Sequence, residues 1–335
     1  MLAKALAAAT AAAGLDITEL FSTSLYTGNS STQTITNGID LAGEGGLVWI
    51  KSTTNTTQHC LFDTARGANK ALVTNSTAAQ DDLTSLGITA FTSFNSSGFT
   101  LGDDVGYSSV NTSSRTYASW TFRKQAKFFD VVTYTGTGSA RTVAHNLGSV
   151  PGCIIVKRTD AVDNWTVYHT SLGNTKYLQL NQTAAAGTDI SRWNNTTPTS
   201  TVFTVGTDAA VNASGGTYVA YLFAHETGPN DVIQCGSYTG NGSASGPTIT
   251  LGWEPQWLLI KNASGAYNWW IADTERGIPT GGFTPLLAPN TNGAESYLGE
   301  YINVSGTGFQ LVTANANVNQ SGSTFIYVAI RSAPA

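Results

Sequence analysis

Charge is what this 335-residue sequence has least of. Asp, Glu, Lys and Arg together make up 11%, against roughly 25% in an average soluble protein. Low charge does not mean disorder, because disordered chains are rich in charge and poor in aromatics. Here Trp, Tyr and Phe reach 10%, enough large apolar surface for packed cores. The net charge is −5 and no basic stripe occurs, which argues against a surface that tracks nucleic-acid phosphates. Cysteine is scarce and odd in number: Cys60, Cys153 and Cys235. They cannot all pair within one chain, and read as small buried hydrophobes of a protein made in a reducing cytoplasm. No apolar run is long enough to span a membrane, so no membrane insertion is expected.

Catalytic patterns are missing too. The four histidines, His59, His145, His169 and His225, form no metal-binding pair, and no Cys-x-x-Cys occurs. His145 reads as a turn residue rather than a general base. Neither a Gly-x-Ser-x-Gly elbow nor a phosphate-cradling loop is present. A glycan depolymerase needs two carboxylates across a cleft. The pairs Asp81-Asp82 and Asp103-Asp104 are chain neighbours, which on a strand point to opposite faces. They read as solvated loop charges, and nothing near Asp103-Asp104 matches calcium-loop spacing. The expectation is a protein that is not an enzyme and needs no metal and no cofactor.

Thr, Ser, Asn and 35 glycines take the place of the missing charge. Thr and aromatics favour strands; Gly, Asn and Ser favour turns. Three landmarks recur in fixed order, roughly a hundred residues apart. The first is Tyr-Thr-Gly, at Tyr26, Tyr134 and Tyr238. The second is an apolar run ending in Lys, at Lys51, Lys157 and Lys261. The third closes each copy: Thr116–Trp120, Thr217–Tyr221 and Thr324–Val328. Weaker landmarks lie between them, among them Leu72–Asn75, Leu178–Asn181 and Leu287–Asn290. Short runs rich in Val, Ile, Tyr, Phe and Trp, bounded by Gly, Asn, Ser and Pro, predict an all-β chain. The expected fold is three tandem β-sandwich, jelly-roll-like domains over 21–124, 128–226 and 230–335. The linkers are only about five residues long, so neighbouring units should touch. Outside a short helix predicted for residues 2–13, no stretch shows helical periodicity.

Two sets of residues are candidates for binding. Asp63-Thr64-Ala65-Arg66-Gly67 recurs as Asp273-Thr274-Glu275-Arg276-Gly277, while the middle copy reads His169-Thr170-Ser171-Leu172-Gly173. Asp63 with Arg66, and Asp273 with Arg276, could grip a polar ligand. The stronger reading is a capped turn after a strand, with Gly supplying a positive φ. The tryptophans are the second set. In Asn268-Trp269-Trp270 one ring of the pair should face outward on a strand, suited to stacking on a sugar. Trp165 holds the equivalent place in the middle copy.

Several segments carry a resemblance. They are Gly45–Lys51, Phe62–Gly67, Lys127–Gly136, Ala144–Gly148 and Leu251–Trp257. In these, and over nearly the whole chain from about residue 20, the sequence is similar to virion proteins of tailed bacteriophages described as tail-fibre-like or hypothetical. The resemblance implies a virion structural protein made in the host cytoplasm. The first expectation is a tail or fibre component, an adhesin attaching to a host surface glycan. The alternative is a capsid decoration or head-fibre protein with a purely structural role. Its implied partners are other virion proteins and copies of itself, most simply as a homotrimer, with no nucleic acid. Residues 2–13 carry only Leu2 and Leu6 as large apolar side chains, so residues 1–20 are expected to form an attachment or oligomerisation segment that does not dock firmly on its own β unit.

Overall fold

In the computed structural model the described residues are 14–228, 230–278, 282–297 and 299–333. The helix expected over 2–13 lies outside them. The chain is all-β. Its first stretch, unit one, contains β1 Phe21–Thr27, β2 Gln33–Thr36, β3 Gly46–Ser52, β4 Cys60–Asp63, β5 Lys70–Val73, β6 Asp81–Asp82, β7 Phe91–Asn95, β8 Gly98–Leu101 and β9 Thr116–Arg123. Unit two contains β10 Phe129–Thr135, β11 Arg141–Ala144, β12 Pro151–Arg158, β13 Thr166–His169, β14 Lys176–Gln179, β15 Gly187–Thr188, β16 Val202–Val205 and β17 Thr217–Ala224. Unit three contains β18 Ile233–Thr239, β19 Thr248–Thr250, β20 Pro255–Asn262, β21 Trp269–Asp273, β22 Ile302–Ser305, β23 Gly308–Leu311 and β24 Thr324–Arg331.

Each unit has one large antiparallel sheet and one small one. The large sheets run β1-β9-β3-β4-β5-β6, β10-β17-β12-β13-β14-β15 and β18-β24-β20-β21. The small sheets are β2-β8-β7, β11-β16 and β19-β23-β22. Register is the same in all three copies. Tyr26 pairs with Tyr117, Tyr134 with Tyr218, and Tyr238 with Phe325.

The central strands are buried along their length, and the period-2 alternation of a strand shows why. In β3, Leu47 and Trp49 enter a core that runs through all three units, while Val48 and Ile50 enter a core private to unit one. In β24, Ile326, Val328 and Ile330 face the shared core; Phe325, Tyr327 and Ala329 face a core private to unit three. Both faces of each large sheet are therefore covered, one by its small sheet and one by the neighbouring units. That is the reason the sequence shows continuous apolar runs rather than clean alternation.

Two differences from the sequence reading concern short segments. Residues 15–20 are not a detached arm. Asp16 caps a 3-10 turn at Ile17–Glu19, and Ile17 and Leu20 are buried in the shared core. Among the described residues three single helical turns also form: α1 Ile190–Trp193, α2 Ala209–Asn212 and α3 Ala316–Asn319. Each begins at an Asp or Asn side chain that accepts a backbone N–H, too short a helix to leave a periodic signal.

Candidate functional site

The recurring motifs converge on the seams between units, and the seams repeat in a cycle. Backbone N–H groups of Gln80, Ala186 and Glu295 donate to the carbonyls of Thr159, Ala263 and Thr53 at 2.9, 2.8 and 2.8 Å. Unit one thus bonds to unit two, two to three, and three back to one.

Asp63 and Arg66 sit at the first seam. Asp63 Oδ1 accepts the Arg66 backbone N–H at 2.9 Å, and Oδ2 accepts Arg66 Nε at 2.5 Å. The Tyr221 hydroxyl of unit two donates to the same Oδ2 at 2.7 Å. Arg66 spends its remaining donors on the carbonyls of Lys70 and Leu61, on Gln80 and on the Tyr221 oxygen. The side chains of Asp63 and Arg66 are 0% and 4% exposed. Asp273 and Arg276 repeat this at the third seam. Asp273 Oδ2 accepts Arg276 Nε at 2.7 Å and the indole N–H of Trp120, in unit one, at 2.9 Å. Arg276 also pairs with Glu295 at 2.8 Å, and its guanidinium lies 5.4 Å from the centre of the Trp120 ring. Both pairs are full, with donors and acceptors matched inside the protein. The grip on an external ligand weighed from the sequence has no free group to work with, and the capped-turn reading describes the geometry.

At the middle seam His169 replaces the aspartate. Its Nδ1 accepts the Ser171 N–H at 3.2 Å, and its Nε2 lies 3.1 Å from the Tyr327 carbonyl of unit three. The two contacts together require the neutral ring protonated on Nε2. Burial pulls its pKa down to about 4.

The outward indole expected at Trp269 or Trp270 is not there. Trp269 is 1% and Trp270 7% exposed. They do point to opposite faces of β21, but one face meets the shared core and the other the private core of unit three. Trp165 is fully buried as well. Trp165 and Trp269 bridge seams instead. The indole N–H of Trp165 donates to the Val73 carbonyl of unit one at 3.0 Å, and that of Trp269 to the Gln179 carbonyl of unit two at 2.9 Å. Their own backbone N–H groups bond Asn181 and Asn290, as that of His59 bonds Asn75. This accounts for the asparagine that ends each weaker landmark.

The landmark lysines are buried beneath the same seams. Lys157 Nζ donates to the Thr77 carbonyl of unit one, and Lys261 Nζ to the Thr183 carbonyl of unit two. Lys51 Nζ donates to the Ser52 and Asn55 carbonyls of its own unit. Burial lowers all three amines to about 8. They therefore remain charged at neutral pH and hold the docking loops through their N–H donors.

Sequence reasoning missed a buried asparagine, Asn111, Asn212 and Asn319, that ties the two sheets of each unit. Its Oδ1 accepts the N–H of Asn29, Thr137 or Asn241, and its Nδ2 donates to the Gly102, Gly206 or Thr313 carbonyl. The signal was a Val-Asn dipeptide a few residues before each closing strand. Asp104 departs from the solvated-loop reading as well. It is 2% exposed, and its carboxylate accepts the N–H groups of Val110 and Asn111. Cys60, Cys153 and Cys235 are free and buried. Among the described residues no group of three His, Cys, Asp or Glu could hold a metal, and no helix is long and apolar enough to cross a membrane.

Fold and seams together define a class: an all-β chain of three homologous units closed head to tail around one core. The chain belongs to the family described as a domain of unknown function, DUF7483, which matches residues 16–334. No curated protein matches it.

Proposed function

We propose that the chain is a structural protein of a tailed-bacteriophage particle, a component of the tail or its fibres. The observation that carries this reading is the closed cycle of seams, in which buried ion pairs, lysines and indoles are spent on joining units. Such a body suits a rigid building block with a neutral polar exterior. The resemblance of the sequence to tail-fibre-like virion proteins supplies the particle. Host attachment through Trp165, Trp269 or Trp270 forms no part of this reading, since all three rings are buried.

A place on the head, as a capsid decoration or head fibre, is the second reading. It is favoured by the return of unit three onto unit one, because repeats closed in a cycle do not extend into a rod. Quantitative mass spectrometry of purified particles tests both. A few to a few dozen copies per particle support the tail, and several hundred support the head. Absence of the chain from purified particles overturns the proposal.

A further inference from the structure

The three seams share a framework, so the place where one departs from the others carries information. Thr53 and Glu295, joined across the third seam, correspond to Thr159 with Gln80 and to Ala263 with Ala186. Above this contact a cleft of about 360 Å³ opens at the surface, bounded by β1 and β9 on one side and by Glu275, Arg276, Glu295 and Tyr297 of unit three on the other. Its size lies within the range of small-molecule sites.

The rim holds two large side chains that burial does not explain: Tyr297 is 59% and Leu25 51% exposed. At the corresponding strand positions the other units carry Asp82 and Thr188 in place of Tyr297, and Thr133 and Ser237 in place of Leu25. The wall carries two carboxylates. Glu275 is exposed and faces the cleft; Glu295, its side chain buried, pairs with Arg276 and accepts the Tyr297 hydroxyl, which holds that ring on the rim. Thr53 and Thr116, whose hydroxyls lie 2.7 Å apart, add short polar groups to the lining. Apolar surface on the rim, with a free carboxylate and two hydroxyls in the lining, matches the two characters of a sugar ring. Its C–H face needs a flat apolar partner, and its hydroxyls need acceptors.

We propose that this cleft at the seam between units three and one binds a neutral hexopyranoside. The C–H face lies on Tyr297 and Leu25, and the hydroxyls donate to the exposed Glu275 carboxylate. The Glu275 carboxylate repels a uronic or sialic acid at the same place. The site is argued from its own chemistry, and goes beyond the particle reading: the purified chain tests one and purified particles test the other.

The experiment is saturation-transfer NMR and calorimetric titration of the full chain. The probes are the methyl glycosides of glucose, galactose, mannose, N-acetylglucosamine and glucuronic acid. For so open a site a neutral glycoside should bind with Kd on the order of 1 mM, and the glucuronide should not bind. Tyr297→Ala should weaken binding about tenfold or more, and Tyr297→Phe, which keeps the ring, much less. Asp82→Ala, the corresponding change at the first seam, should leave binding unaltered. If Tyr297→Ala lowers the thermal midpoint, Leu25→Asp on the opposite rim takes its place. Failure of every neutral glycoside to bind at about 100 mM, or equal binding by the rim variants, overturns the proposal.

Discussion

His169 shows what a single substitution does at a seam. Asp63 and Asp273 each have an arginine three residues on, whereas His169 is followed by Leu172. A buried carboxylate there would lack its cation, and a neutral imidazole avoids that cost. The choice makes the second seam sensitive to acid. Its folded-state pKa of about 4 lies below the ordinary value of 6.5, so between those limits the unfolded chain binds the extra proton. Stability from this group is complete above pH 6.5 and declines as pH falls toward 4. The loss at pH 5 is about 2 kcal/mol. His59, also pulled well below its ordinary value by burial, acts in the same direction. Denaturant midpoints measured from pH 7 to pH 5 should fall for the wild type and fall less for His169→Gln. Parallel curves for the two proteins would sink the assignment. At the third seam, Arg276→Met leaves Asp273 and Glu295 buried without a cation, and should cost about 3–5 kcal/mol in chemical denaturation. Recurrence of the Asp-Arg motif was legible in the sequence. Its partners were not, because Tyr221 and Trp120 lie far along the chain in another unit.

At the scale of elements, the Tyr-Thr-Gly landmark is a corner that locks the first strand of each unit. The hydroxyls of Tyr26, Tyr134 and Tyr238 donate to the carbonyls of Val110, Val211 and Val318, each at 2.7 Å. The same rings stack on Tyr117, Tyr218 and Phe325 at centroid distances of 5.1, 5.0 and 4.9 Å. The glycine two residues on must let the returning backbone pass. A Cβ on Gly136 would stand 2.2 Å from the Ala213 carbonyl oxygen, and Gly28 and Gly240 are equally tight. Gly136→Ala should therefore destabilise by more than 2 kcal/mol, beyond a typical surface change. Tyr134→Phe, which leaves the Val211 carbonyl without its donor, should cost about 1–3 kcal/mol. Equilibrium urea denaturation measures both, and a neutral Gly136→Ala would show that the corner can yield. The landmarks, strand runs and turns could be read because each is local. The small helical turns could not, since four residues carry no period, and the asparagine tie left only a recurring Val-Asn dipeptide in an Asn-rich chain.

For the whole molecule the all-β class was readable, but the covering of the sheets was not. Alternation in β21 implies that Trp269 and Trp270 face opposite ways. It does not reveal that a neighbouring unit waits on the second side. That missing layer turned an expected sugar platform into two core residues. The same layer makes the units energetically inseparable. Phe21 and Phe122 of unit one lie 6.1 and 5.6 Å from the ring of Trp257 in unit three, and Phe122 lies 5.6 Å from Phe223 in unit two. Residues from all three units form one apolar cluster. Independent domains joined by linkers would unfold in separate steps, whereas one shared core unfolds as a whole. Scanning calorimetry of the chain should give a single transition with a calorimetric-to-van't Hoff enthalpy ratio near about 1. Residues 21–124 or 230–335 expressed alone should fail to give a cooperative transition, because each would expose the face it buries against its neighbours. A ratio near about 3, or an isolated unit that melts cooperatively, would mean that each private core suffices and the seams are mere contacts.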